Sequence, residues 1–157
     1  MASAPIRFAA VVSTYHSQYN EAMLASSAEV LKDYPFEVVR VPGAFEIPLA
    51  VQRLARTKRY AAVLAFGVVW NGKTRHAEEI LRACTDALMR ISLENDLPVL
   101  HEILSVGSVA EVRARTMGKL NRGIEAARAA LAVTVSPAQP TPTHASKLKS
   151  GQRRKRA

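Results

Sequence analysis

The stretch that decides the fold is FEVVRVPGAFEIPLAVQRLARTKRYAAVLAF, from Phe36 to Phe66. Phe36–Val41 is a short apolar run of strand length, stopped by Pro42-Gly43. A helical segment follows from about Ile47 to Arg56, and Tyr60–Phe66 is a second short apolar run. A strand, a helix and a strand in so few residues demand a parallel pairing with a helical crossover. Outward from it the alternation continues. Upstream, Arg7–Ser13 (RFAAVVS) reads as a buried strand and Gln18–Lys32 as a helix. Downstream, a helix over Thr74–Asn95 carries an apolar stripe at Ile80, Leu81, Cys84, Ala87, Leu88 and Ile91. Pro98–Leu104 (PVLHEIL) is a fourth strand, and helices follow near Ser108–Met117 and Arg122–Val133. The expected fold class is α/β: a flavodoxin-like three-layer sandwich with a four-stranded parallel sheet covered on both faces.

The chain has 157 residues, enough for one domain with a core of its own. Hydrophobic residues make up 48% of it, which excludes wholesale disorder. The apolar run Tyr60–Trp70 is far too short to cross a bilayer, and the N-terminus lacks a signal-peptide pattern. A single cysteine, Cys84, excludes an intramolecular disulfide framework and reads as core. A cytoplasmic protein without membrane partners is expected. The net charge of +9 suggests nucleic acid until it is located: Lys147, Lys149, Arg153, Arg154, Lys155 and Arg156 all fall in the last segment, which has no acid. Removing those six leaves +3 on residues 1–135, so the body is not a basic domain. Ser136–Ala157 (SPAQPTPTHASKLKSGQRRKRA) is proline-rich and nearly free of apolar residues, and reads as a disordered basic tail. Any nucleic-acid contact would be through its cations, weak and salt-dependent. The folded domain is expected over residues 1–135.

In parallel sheets of this kind, ligands bind beyond the carboxyl ends of the strands. Three of the four histidines fall there: His16 after the first strand, His76 after the third, His101 in the fourth; His144 is in the tail. Glu46 and the Pro42-Gly43 turn follow the second strand, and Lys73 and Thr74 precede the long helix. Histidines and a carboxylate at one edge of an aliphatic domain suit proton transfer on a small molecule, because imidazoles titrate near neutrality. Three histidines also raise a zinc site, but no close-spaced ligand pair supports one and no metal is expected.

Gly67–Thr74 (GVVWNGKT) fits the phosphate-cradle pattern between a strand and a helix, which keeps a P-loop nucleotide-binding protein as an alternative. Against it, Val68, Val69 and Trp70 are bulky where a cradle wants small residues. Asp33, Asp86 and Asp96 do not end an apolar strand run, where a magnesium ligand would stand. A weaker inference survives: Gly72, Lys73 and Thr74 at a helix start can hold a phosphate.

The run Val41-Pro42-Gly43-Ala44-Phe45-Glu46-Ile47-Pro48 resembles the hallmark of the 6,7-dimethyl-8-ribityllumazine synthase family. Gly72-Lys73-Thr74-Arg75-His76 resembles its G-x-T-x-H, and Arg113-Ala114-Arg115-Thr116 and Asn121-Arg122-Gly123 resemble its R-A-G-T and N-K-G. The similarity runs from Arg7 to about Val133. It implies condensation of 5-amino-6-ribitylaminouracil with 3,4-dihydroxy-2-butanone 4-phosphate, a transferase step of riboflavin biosynthesis that releases phosphate and water and uses no cofactor or metal. By the same resemblance His76 is the proton donor, and Lys73 and Thr74 hold the phosphate with Arg113 of a neighbouring subunit. Ala44, Phe45, Glu46, Val68, Val69 and Trp70 line the pyrimidine and ribityl pocket. Tyr15 stands where an aromatic stacks on the ring, and His101, in the place of a phenylalanine, comes from the adjacent subunit. Gly72, Arg122 and His16 are further candidates. The chain departs from the pattern at His16 (commonly asparagine), Asn71 (often arginine), Ala77 (usually aromatic) and His101. One residue more between Thr116 and Asn121 than in shell-forming members favours a free homopentamer over a sixty-subunit shell. A homologue that binds lumazine or flavin without catalysis is the non-enzymatic alternative. Outside the motifs the same residues have plainer readings: His76 at the edge of an apolar stripe, Glu46 as a helix-start acid, Lys73 and Arg113 as surface cations.

Overall fold

The computed structural model describes residues 5–135, so the expectation of a disordered basic segment over 136–157 lies outside the described residues. The element order is β1 (Phe8–Ser13), α1 (Ser17–Val30), β2 (Phe36–Val41), a 3-10 turn (Ala44–Glu46), α2 (Ile47–Arg56), β3 (Ala62–Trp70), α3 (His76–Asn95), β4 (Val99–Val106), α4 (Val109–Thr116) and α5 (Arg122–Thr134). The four strands form one parallel sheet in the order β2-β1-β3-β4. The flavodoxin-like sandwich expected from the alternation is the fold observed.

Strand periodicity sorts the core into two layers. Phe8, Ala10 and Val12 of β1 and Ala62, Leu64, Phe66 and Val68 of β3 point to one face, where they meet Met23 and Leu24 of α1, Val112 of α4 and Ala126, Ala127 and Ala130 of α5. Ala9 and Val11, with Val63, Ala65 and Ile103, point to the other, against Ile47, Val51 and Ala55 of α2 and Cys84, Leu88 and Ile91 of α3. Residues of β1 and the first seven of β3 are all buried, as strands covered on both sides must be. Small residues bring α5 close to α1: a Cβ on Gly123 would lie 2.1 Å from the Met23 carbonyl oxygen.

The main departure from the sequence reading is in β3. The apolar run was expected to end at Phe66 and give way to a glycine-containing loop; the strand instead continues through Gly67 to Trp70. Gly67–Trp70 pair in register with Ile103–Val106 of a β4 that itself runs two residues past Leu104. Gly67 is tolerated inside the strand because side chains close over it: Ile47 Cδ1 and Ile103 Cγ2 lie 3.2 and 3.3 Å from where its Cβ would stand. Extended pairing commits this backbone to β4, so Gly67–Thr74 does not form a phosphate cradle and the P-loop alternative falls. A smaller shift affects α3, which begins at His76 and leaves Thr74 and Arg75 in the preceding loop with Lys73.

Candidate active site

The strand order reverses between β1 and β3: the chain leaves β1 toward β2 and leaves β3 toward β4. Their mutual pairing stops at Val12–Phe66, while β3 continues beside β4 to Trp70. A crevice therefore opens beside the last residues of β3, at the carboxyl ends of the strands. It holds a cavity of about 520 Å³ lined by Tyr15, His16, Gly43, Ala44, Phe45, Glu46, Val68, Val69, Trp70, His76 and Ile80.

Three chain segments build its walls. The first is the corner between β1 and α1. Thr14 and Tyr15 N–H donate to the Val41 and Pro42 carbonyls (2.8 and 3.0 Å), tying the corner to the end of β2. His16 then takes a left-handed conformation (φ 59°, ψ 41°), uncommon for a residue with a side chain. Its ring lies 4.4 Å from that of Tyr15 and 6.1 Å, edge-on, from that of Trp70. Burial lowers the His16 pKa below the ordinary histidine value, which keeps this imidazole neutral at neutral pH.

The second wall is the turn Gly43–Glu46. Glu46 Oε2 accepts from the Gly43 N–H at 2.9 Å, and the Glu46 N–H donates to the Gly43 carbonyl at 3.3 Å, a side-chain cap and a backbone bond that together close the turn ahead of α2. Gly43 has an ordinary extended φ; its size is what matters, since a Cβ there would stand 3.0 Å from Glu46 Oε2. Beneath the turn the Cys84 thiol donates to the Ala44 carbonyl (3.3 Å), and burial, with a smaller contribution from the Glu46 charge, pushes its pKa up to about 11. The third wall is the start of α3. His76 is exposed, its ring bordering both this cavity and an apolar recess formed with Phe45, Glu79, Ile80 and Ala83. Glu78 and Glu79 favour the helix N-terminus and are neutralised by Arg75 (3.6 Å) and Arg82 (2.6 Å).

Within one chain, the structure thus gathers Tyr15, His16, Ala44, Phe45, Glu46, Val68, Val69, Trp70 and His76 around a single space. It does not bring the other candidates there. Gly72, Lys73 and Thr74 stand exposed in the loop before α3, and Arg113 is exposed on α4. Arg122 is engaged by Glu102 through Nε and Nη2 (2.8 and 3.1 Å) and by Glu125 (2.8 Å). His101 faces α3: its Nδ1 accepts from the Ile103 N–H at 3.1 Å and its Nε2 lies 2.7 Å from Thr85 Oγ1, so Nε2 carries the proton. Asn71 clamps the base of the loop, its N–H on the Val106 carbonyl (2.8 Å) and its Oδ1 accepting from Ser105 Oγ. Gly43 and Ile80 are lining residues the sequence reading did not single out; the Pro-Gly turn and the apolar stripe were their signals. Among the described residues no three His, Cys, Asp or Glu side chains gather to hold a metal ion, and no helix is long and apolar enough to cross a membrane.

Fold and crevice together define an α/β protein with a candidate small-molecule site at its topological switch point: an aromatic wall, an exposed imidazole and a carboxylate-closed turn. Residues 5–137 match the sequence-family model described as 6,7-dimethyl-8-ribityllumazine synthase. Proteins of that name from Xanthomonas euvesicatoria pv. vesicatoria (strain 85-10) and Stenotrophomonas maltophilia (strain K279a) are 36% and 37% identical over 131 residues. Each alignment covers 80% of this chain, and 85% and 84% of the respective relative. The chain belongs to the 6,7-dimethyl-8-ribityllumazine synthase family.

Proposed function

We propose that the protein is a transferase of riboflavin biosynthesis that condenses 5-amino-6-ribitylaminouracil with 3,4-dihydroxy-2-butanone 4-phosphate, giving 6,7-dimethyl-8-ribityllumazine, phosphate and water. The observation that carries this reading is convergence: the VPGAFEIP turn, the Tyr15–His16 corner, the end of β3 and His76 line one cavity. Amine addition to the ketone, phosphate elimination and ring closure all need protons moved, and His76 is the exposed imidazole on this cavity suited to move them. Tyr15 and Trp70 supply ring faces for the pyrimidine, with neutral His16 between them. Ala44–Glu46 and Val68–Trp70 form the floor and side for the ribityl chain.

The phosphate is the part of the reaction that one chain's cavity does not serve, because neither Lys nor Arg is among its lining residues. Lys73 and Thr74, three and two residues before His76 in an exposed loop, would meet the phosphate at the mouth, with Arg113 and His101 as contributions of a neighbouring copy. A homopentamer, with each site completed across a subunit boundary, is the assembly this favours.

The test is product formation from the two substrates by the purified protein, followed by lumazine absorbance. His76→Ala is expected to lower turnover by about 10²- to 10⁴-fold, with KM for the phosphate substrate unchanged. No product from the wild-type protein with both substrates saturating overturns the reading. A monomeric particle mass under assay conditions, with full activity, overturns the shared-site part.

A further inference from the structure

We propose that Asn20, which does not touch the cavity, is a positioning residue that holds its aromatic wall in shape for the ring substrate. The inference rests on the reading of this cavity as the pyrimidine site. Asn20 lies in the first turn and a half of α1 and is fully buried. Its Nδ2 reaches back across the corner and donates to two carbonyls, those of Ser13 and Tyr15, each at 2.9 Å. These two carbonyls bracket the departure of the chain from β1 and the entry to left-handed His16. The Tyr15 and His16 rings that follow from that geometry form the wall together with Trp70 at the end of β3.

Two features argue that the amide is there for the corner and not for packing. Asn20 Oδ1 is buried and has no donor among the described residues. A buried amide with half its capacity unmet is unfavourable where an apolar side chain of similar volume would fill the same space. The Nδ2 bonds are what an apolar residue could not supply. The Tyr15 carbonyl also has little else to rely on, since Ser13 Oγ stands 3.4 Å from it and equally far from the Pro42 carbonyl. Without the amide, the part-buried Tyr15 carbonyl loses its main donor, and the corner gains by rotating that carbonyl toward water. Such a rotation releases His16 from the left-handed region and tips its ring away from Trp70, while the His76 end of the cavity, built on α3, stays in place.

The experiment uses the full-length protein with the substitutions Asn20→Ala, His16→Ala and both together. Asn20→Ala is expected to raise KM for the aminouracil about tenfold and to leave kcat and KM for the ketone phosphate unchanged. Trp70 is the single tryptophan, so its emission without ligand reports the adjacent His16 ring. The emission of Asn20→Ala should coincide with that of His16→Ala, and the double variant should add nothing further. Asn20→Thr, which keeps one donor, should fall between wild type and Asn20→Ala, and it carries the test if Asn20→Ala fails to fold. The proposal is overturned if KM for the aminouracil stays at the wild-type value or if both KM values rise together. It is equally overturned if Trp70 emission is unchanged in Asn20→Ala while it changes in His16→Ala. Absence of turnover in the wild-type protein would sink the functional reading alone, and the emission comparison would then decide the role of Asn20.

Discussion

Glu46 has two jobs that substitution can separate. One oxygen, Oε2, closes the turn through the Gly43 N–H at 2.9 Å, and the side chain also lines the cavity. Closing the turn needs only an acceptor, so Glu46→Gln, which keeps a carbonyl oxygen of the same reach, should leave stability nearly unchanged. Glu46→Ala removes the acceptor and leaves the Gly43 N–H to water. The bond is solvent-exposed, so its loss should cost about 1 kcal/mol, or about 4 °C in Tm for a domain of this size. In the proposed reading the carboxylate also binds the aminouracil, and there the charge counts: a charge-assisted bond to a ligand donor is about twice as strong as a neutral one. Both substitutions should therefore raise KM for the aminouracil by about tenfold. The assay is thermal unfolding beside steady-state kinetics on the three proteins. The separation fails if Glu46→Gln loses as much Tm as Glu46→Ala, because the turn would then depend on charge. Wild-type KM in Glu46→Gln would remove the carboxylate from substrate binding.

Gly123→Ala tests the close approach of α5 to α1. A methyl placed 2.1 Å from the Met23 carbonyl oxygen, with two further Met23 backbone atoms within 2.8 Å, cannot be absorbed by a flexible side chain. One helix must move, at a cost of about 3 kcal/mol or more, so Tm should fall by at least about 8 °C; a fall below 2 °C would show the helices to be loosely seated. His101→Phe tests a pH dependence. Burial holds the His101 pKa below its ordinary value of 6.5, so below that pH the unfolded chain binds more protons than the folded one. Its stability contribution is complete above pH 6.5 and is lost as the pH falls through the lower, folded value. The phenylalanine variant loses two hydrogen bonds, so the comparison is of slopes: its Tm should fall less between pH 8 and pH 5 than that of the wild type. Equal slopes would show that His101 titrates alike in both states.

Most of the architecture was legible because the signals are local and repeated. β2 and α2 begin and end where the Phe36–Arg56 pattern places them, bounded by Pro42-Gly43. The two-layer core follows from alternation in β1 and β3, which a single sequence displays. The run beyond Phe66 was not legible, because Gly67 is a poor strand residue by itself and is held extended by its partner in β4, some thirty-six residues away in sequence. The start of α3 was misplaced by two residues for a related reason: Thr74 and Arg75 are acceptable helix-start residues, and what excludes them is the loop anchored by Asn71 on β4. At the site, the switch-point rule and the motifs brought out Tyr15, Glu46, Trp70 and His76. Asn20 carried no signal, since its role depends on two carbonyls turned inward by a left-handed residue, and a polar residue near a helix start has many ordinary explanations.

The distribution of charge around the cavity bears on how the reaction would be divided between chains. The lining offers ring faces, aliphatic surface, two imidazoles and one carboxylate, a set suited to a polar heterocycle that donates hydrogen bonds. A phosphate monoester needs the opposite, and the cations proposed to meet it, Lys73 in the loop before α3 and Arg113 on α4, are exposed and not among the lining residues. Next to His76 the cavity borders a second recess whose walls include Phe45 and Ala83, and Phe45 is 63% exposed. An apolar rim of this kind is stable in water when another surface covers it. A second copy presenting an arginine there would cover the rim and neutralise the phosphate in the same contact, so assembly and competence for the phosphate substrate should be lost together. The separating measurement is turnover against protein concentration: activity per chain should fall on dilution through the dissociation range. KM for the ketone phosphate should rise there before KM for the aminouracil does. Constant activity per chain down to the monomer would mean that one chain supplies its own phosphate site.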